Sequence, residues 1–100
     1  MSHPSKRKGN SWEREIVNLA RERGLEAERA YASNGRALGH SEQVDCVVQG
    51  CRIQAKRRKA LPSYLQVPEG CDAVVFRQDR GEALALIPLD SLLTLIREGF

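Results

Sequence analysis

The chain predicts a single α/β domain. Three observations carry that expectation: an apolar stripe of helical period beginning at Trp12, an alternating run over residues 43–57 broken at Gln49-Gly50, and a second apolar stripe after Pro88. A length of 100 residues supports one modest core and leaves little room for a second domain. The composition, 41% apolar and 29% charged, is that of an ordinary globular chain. No run of 18 apolar residues occurs, which excludes a membrane-spanning helix. The basic N-terminus has no apolar stretch behind it, so it is not a secretory signal. The expected location is therefore cytoplasmic.

The elements follow in order. Residues 1–9, basic and containing Pro4 and Gly9, read as a flexible tail, and residues 10–100 as the domain. Trp12, Ile16, Leu19 and Ala20 recur at helical spacing and predict a helix over 10–23. Asn10 or Ser11 is placed to cap it, and Gly24 to end it. Residues 25–31 predict a short strand, and 32–42, with Asn34-Gly35 and Gly39, a loop. Residues 43–57 predict a hairpin with Gln49-Gly50 as its turn. Counting outward, Val48 faces Cys51, Cys46 faces Ile53 and Asp45 faces Gln54. A helical turn is expected over 61–67, a buried strand over 71–77 and another strand over 82–87. Pro88 opens a last helix with Leu89, Leu92, Leu93 and Ile96 on one stripe and Leu95 off it.

Charge divides the chain unequally. Residues 1–60 carry 13 basic and 7 acidic side chains, a net of +6, whereas residues 61–100 carry 3 basic and 6 acidic, a net of −3. Such a basic half suits a polyanion, and nucleic acid is the polyanion it points to. Cys46, Cys51 and Cys71 are odd in number and form no Cys-x-x-Cys, which argues against a disulfide framework and a zinc site.

The hairpin carries the chemistry. Side chains alternate across a strand, so Asp45, Gln54 and Lys56 are expected on one face and Val44, Cys46, Ile53 and Ala55 on the other. Directly opposed Cβ atoms lie about 4.5–5.5 Å apart. A carboxylate, an amide and an ammonium would thus share one point, the set that metal-assisted phosphodiester hydrolysis needs. A hard cation takes carboxylate, carbonyl and water oxygens, and a neighbouring lysine holds a nucleophile or offsets developing charge. An exposed cross-strand polar pair explains the same residues without chemistry.

Lys8-Gly9-Asn10-Ser11-Trp12-Glu13-Arg14-Glu15 resembles the opening of archaeal-type Holliday junction resolvases, members of the PD-(D/E)xK nuclease superfamily. The likeness continues through Arg29, Ser33-Asn34-Gly35, Val44-Asp45 and Ile53-Gln54-Ala55-Lys56, covering roughly residues 8–59. It implies a restriction-endonuclease-like mixed sheet flanked by helices, and cleavage of branched double-stranded DNA by paired symmetric nicks. It further implies Glu13, Asp45 and Gln54 as ligands of Mg²⁺, for which Mn²⁺ can substitute, and Lys56 as the catalytic lysine. Lys8, Arg14, Arg29 and Ser33 would contact DNA, together with the Arg57-Arg58-Lys59 run. Two features depart from the family pattern: Val44 stands in place of proline, and Gln54 in place of an acid. Glu13 also sits three residues after Asn10, the spacing of a capping box. A homodimer is expected, because a four-way junction has approximate two-fold symmetry and two nicks need two sites. Leu95 and Phe100 are candidates for the extra apolar surface. The alternatives are another small PD-(D/E)xK nuclease of repair or restriction type, and a catalytically inactive DNA-binding module.

Overall fold

The computed structural model describes residues 4–30 and 42–99, with side chains from Ser11 onward. The α/β class is borne out. Helix α1 (Pro4–Glu22) leads into β1 (Ala27–Arg29), β2 (Cys46–Val48) and β3 (Cys51–Ile53), followed by β4 (Val74–Phe76), β5 (Leu84–Leu86) and α2 (Leu89–Arg97). The strands form two antiparallel sheets, β1-β2-β3 and β4-β5.

Helix α1 begins six residues before the expected Asn10, so residues 4–9, expected in the tail, are helical. Proline suits a first turn because its φ is already helical and its missing N–H would have no partner there. Asn10 is therefore interior to α1 and does not cap it, which removes the capping-box explanation of Glu13. The helix ends where Gly24 predicts. Gly24 has φ +78°. The Leu25 N–H donates to Ala20 O (3.0 Å) and the Gly24 N–H to Arg21 O (2.9 Å), closing the last turn.

The hairpin turn also falls at the expected pair. Gln49 (φ 49°) and Gly50 (φ 81°) are both left-handed, the geometry that matches the twist of a two-residue hairpin. Val48 faces Cys51 and Cys46 faces Ile53, as the outward count predicts.

Both helices pack on the sheet face that carries Cys46 and Val48. From α1, Ile16, Val17 and Ala20 are buried there, and from α2, Leu93 and Ile96. Arg23 links the helices: its Nη1 donates to Leu19 O at 3.0 Å, and its Nη2 pairs with the Asp90 carboxylate at the start of α2.

The 71–77 run differs from expectation. Its apolar residues read as a buried strand, yet β4 pairs only with β5, and Val75 is 72% exposed. Over 61–67 there is a single turn, with Leu65 N–H donating to Pro62 O at 2.9 Å, and no helix. Leu95 is exposed, in keeping with its place off the α2 stripe, and Phe100 lies outside the described residues. Among the described residues no helix is long and apolar enough to cross a membrane.

Candidate active site

The site is built on an irregularity that alternation does not anticipate. Asp45 was expected opposite Gln54. Instead its N–H donates to Ile53 O (2.8 Å), although Ile53 is already the partner of Cys46. Two residues of one strand thus oppose one of the other, the pattern of a β-bulge, which bends the strand and re-aims a side chain. The Asp45 carbonyl accepts from Ala30 N–H at 2.9 Å, tying this point to the end of β1. Its carboxylate Oδ2 accepts from Ala55 N–H at 2.7 Å, taking the place of a backbone acceptor in the broken ladder. Asp45 is half-buried and held at backbone and side chain alike.

Glu13 is only 3% exposed, the one charged residue buried among those described. It lies within the α1 stretch that covers the sheet. The Cys46 thiol is buried on the sheet face that α1 covers. Burial first, then the Asp45 and Glu13 carboxylates, push that thiol up from 9.0 to about 11, with Arg29 opposing them. Both carboxylates thus oppose ionisation of the buried thiol. The consequence for stability has a definite sign. The unfolded thiol loses its proton from its ordinary 9.0, the folded one only near 11. Over that window the unfolded state binds fewer protons, so the contribution present below pH 9 is lost as pH rises toward 11. Urea midpoints are expected to fall across it in the parent and to fall less in Cys46→Ala. Equal pH slopes in the two proteins would contradict the assignment.

Gln54 is exposed, and its Nε2 donates to Gln43 Oε1 at 2.7 Å, which fixes the direction of the amide. Lys56 is exposed two residues further on. With Arg57, Arg58 and Leu61 it lines an open cleft against Trp12 and Glu15 of α1. Lys59 is exposed at the end of this run.

A second cleft, of about 290 Å³, brings Arg14, Arg21 and Arg29 together. Arg14 is exposed and Arg29 half-buried. The Nε of Arg29 is buried without a hydrogen-bond partner. The Arg21 Nε and Nη2 donate to Ala27 O at 3.1 and 2.8 Å, so that guanidinium is anchored on β1. Sequence reasoning missed Arg21. Its signal was present: it follows Arg14 by seven residues, two helical turns on the same face. Lys8 is described in its backbone alone, within α1, and Ser33 lies outside the described residues.

Among the described residues no group of three or more His, Cys, Asp or Glu side chains could hold a metal ion. The candidate donors are the Asp45 carboxylate at the bulge, the Gln54 amide next to Ile53, and the buried Glu13 carboxylate on α1. Hard cations accept that set, since amide carbonyls and water complete the shell.

The family described as archaeal Holliday junction resolvase (hjc) matches residues 4–82 of the chain. No curated protein and no solved structure matches it.

Proposed function

We propose a mechanism on one established premise: the chain belongs to the archaeal Holliday junction resolvase family. Its role in general terms is that of a junction-resolving nuclease acting on branched DNA. Beyond this, the proposed reaction is divalent-metal-dependent hydrolysis of one phosphodiester per active site. A homodimer makes two symmetric nicks.

Two observations carry the reading together: the carboxylate of Asp45 held at the bulge, and the buried Glu13 on the helix that covers the sheet. Glu13 is buried on α1, which packs on the sheet, and Asp45 directly precedes β2 with its carboxylate held by Ala55 N–H; both are acids of the kind a hard cation takes. In the proposal Glu13 and Asp45 hold Mg²⁺ or Mn²⁺, with Gln54 Oε1 as the neutral third donor. The cation, when bound, polarises the scissile phosphate and acidifies a coordinated water. Asp45 keeps its position through Ala55 N–H, so Oδ1 is the atom presented to the metal. Gln54 is oriented by Gln43, which takes the amide hydrogen and leaves the carbonyl for coordination. Lys56 places its ammonium at the edge of the site, where it holds the attacking water or offsets charge on the phosphate. Arg14 and Arg29, which line one cleft with Arg21, bind a flanking phosphate. Lys8, Ser33, Arg57, Arg58 and Lys59 complete the DNA contacts. Residues 10–100 act as one nuclease domain, and Leu95 is a candidate for the dimer surface.

A binding and cutting assay on a synthetic four-way junction tests this. Affinity should fall steeply with salt, because each neutralised phosphate releases counterion. The junction should outcompete linear duplex of equal length, and Mg²⁺ should produce paired nicks. Equal affinity for both DNAs at moderate salt would count against junction specificity. A monomeric mass by light scattering, with and without junction, would remove the dimer.

A further inference from the structure

The cleft between α1 and the segment after β3 is not needed to hold the metal, and its lining is unusual for a phosphate track. Trp12 and Leu61 supply apolar surface, while Lys56, Arg57 and Arg58 stand against the single acid Glu15. The cleft is open and about 320 Å³, enough for a planar ring. Trp12 is half-buried. One side packs against the core cluster of Ile16, Val17 and Cys46, and the residue also borders the cleft. Trp12 opens the apolar stripe of α1, and it serves the core only in part. Leu61 is 52% exposed and draws little from burial in the chain itself.

An aromatic ring set among cations is the composition that captures bases through their faces, with the charges holding the adjoining phosphates. Within a duplex both faces of every base are covered by neighbours. A branch point differs: base pairs that end an arm, or a nucleotide displaced at the crossover, present an uncovered face. The cleft adjoins Lys56, so a base held there would sit next to the phosphate to be cut.

We propose that the cleft lined by Trp12, Lys56, Arg57, Arg58 and Leu61 takes an unstacked nucleobase at the branch point, with the Trp12 indole as its stacking surface. The proposal rests on the reading of the chain as a junction nuclease. It adds a device by which one protomer distinguishes branched from linear DNA beside the metal site.

Trp12 is the only tryptophan of the chain, so its emission reports on this cleft alone. Titration of the intact protein with a labelled four-way junction, in Ca²⁺ to prevent cutting, gives binding by anisotropy and the state of Trp12 by emission and acrylamide quenching. Saturating junction should change the emission and protect Trp12 from acrylamide, whereas saturating duplex should do neither. Trp12→Ala should weaken junction binding about ten-fold, the order expected for one stacked base, and duplex binding by less than about two-fold. Trp12→Phe should restore most of the loss. The quenching measurement uses the unaltered chain and stands even if Trp12→Ala folds poorly. Junction binding without a change at Trp12, or the same change with duplex, overturns the proposal and leaves the nuclease reading intact. Absence of any junction binding by anisotropy overturns both.

Discussion

Asp45→Asn is expected to cut four-way junctions about a hundred- to a thousand-fold more slowly than the parent while binding them with nearly the same affinity. The size follows from the proposed site, where the substitution removes an anionic oxygen that would face the metal and, through it, the developing charge of the transition state. The choice of asparagine matters. Its side-chain carbonyl can still accept from Ala55 N–H, so the bulge and the half-buried packing persist. Asparagine nonetheless removes the charge that would bind the cation in the proposed site. Lys56→Ala should give a loss of similar order by a different route, with metal dependence little altered, because the ammonium is exposed and serves charge and positioning rather than the fold. Single-turnover nicking, with melting temperature and junction affinity measured alongside, checks both variants. If either variant nicks within a factor of about three of the parent, the residue is not part of the chemistry.

Gln54 sets the second large effect. In the proposed site an amide here would contribute one carbonyl oxygen and no charge, leaving Glu13 and Asp45 to supply the whole anionic attraction. Mg²⁺ keeps several waters in such sites, so two carboxylates and a carbonyl suffice, at metal concentrations in about the millimolar range. Gln54→Glu adds a charge at an exposed position. Its cost is the donor that now meets Gln43 Oε1, and Gln43 can recover the contact by turning its own amide. Cleavage should persist, with the half-maximal Mg²⁺ concentration about ten-fold lower. Gln54→Ala should lose most activity, since neither the carbonyl nor its support remains. A metal titration of nicking in the three proteins separates the readings. A parent that binds junctions and never cuts at any Mg²⁺ or Mn²⁺ level, beside a Gln54→Glu that does cut, would make this chain an inactive DNA-binding module.

The helix stripes, the helix stop at Gly24 and the turn at Gln49-Gly50 were all legible in the residues, because each is a local matter of period or of permitted φ. The family motifs were legible for a similar reason: they lie in short runs whose order survives in the chain. The start of α1 was not, since the break implied by Gly9 is a preference of about 1 kcal/mol that a continuing helix absorbs. The exposure of β4 was hidden too. Apolar composition in Ala73-Val74-Val75-Phe76 states what a strand would prefer to bury, not whether another layer covers it.

The amino-acid sequence by itself determined the α/β class, the hairpin at Gln49-Gly50 with its Val48–Cys51 and Cys46–Ile53 pairs, and the basic character of the half that holds it, whereas the strands end at Cys46 and Ile53 and leave Asp45, Gln54 and Lys56 just outside them. Alternation, turn chemistry and charge are properties of neighbours in the chain, so neighbours suffice to read them. Only the tertiary structure decided that Asp45 sits on a bulge against Ile53 rather than opposite Gln54, that Glu13 is buried, and that Trp12 borders the Lys56 cleft. Each of these depends on where α1 lies across the sheet. That placement is set by the summed burial of Ile16, Val17, Ala20, Cys46 and Val48, and no single segment encodes it.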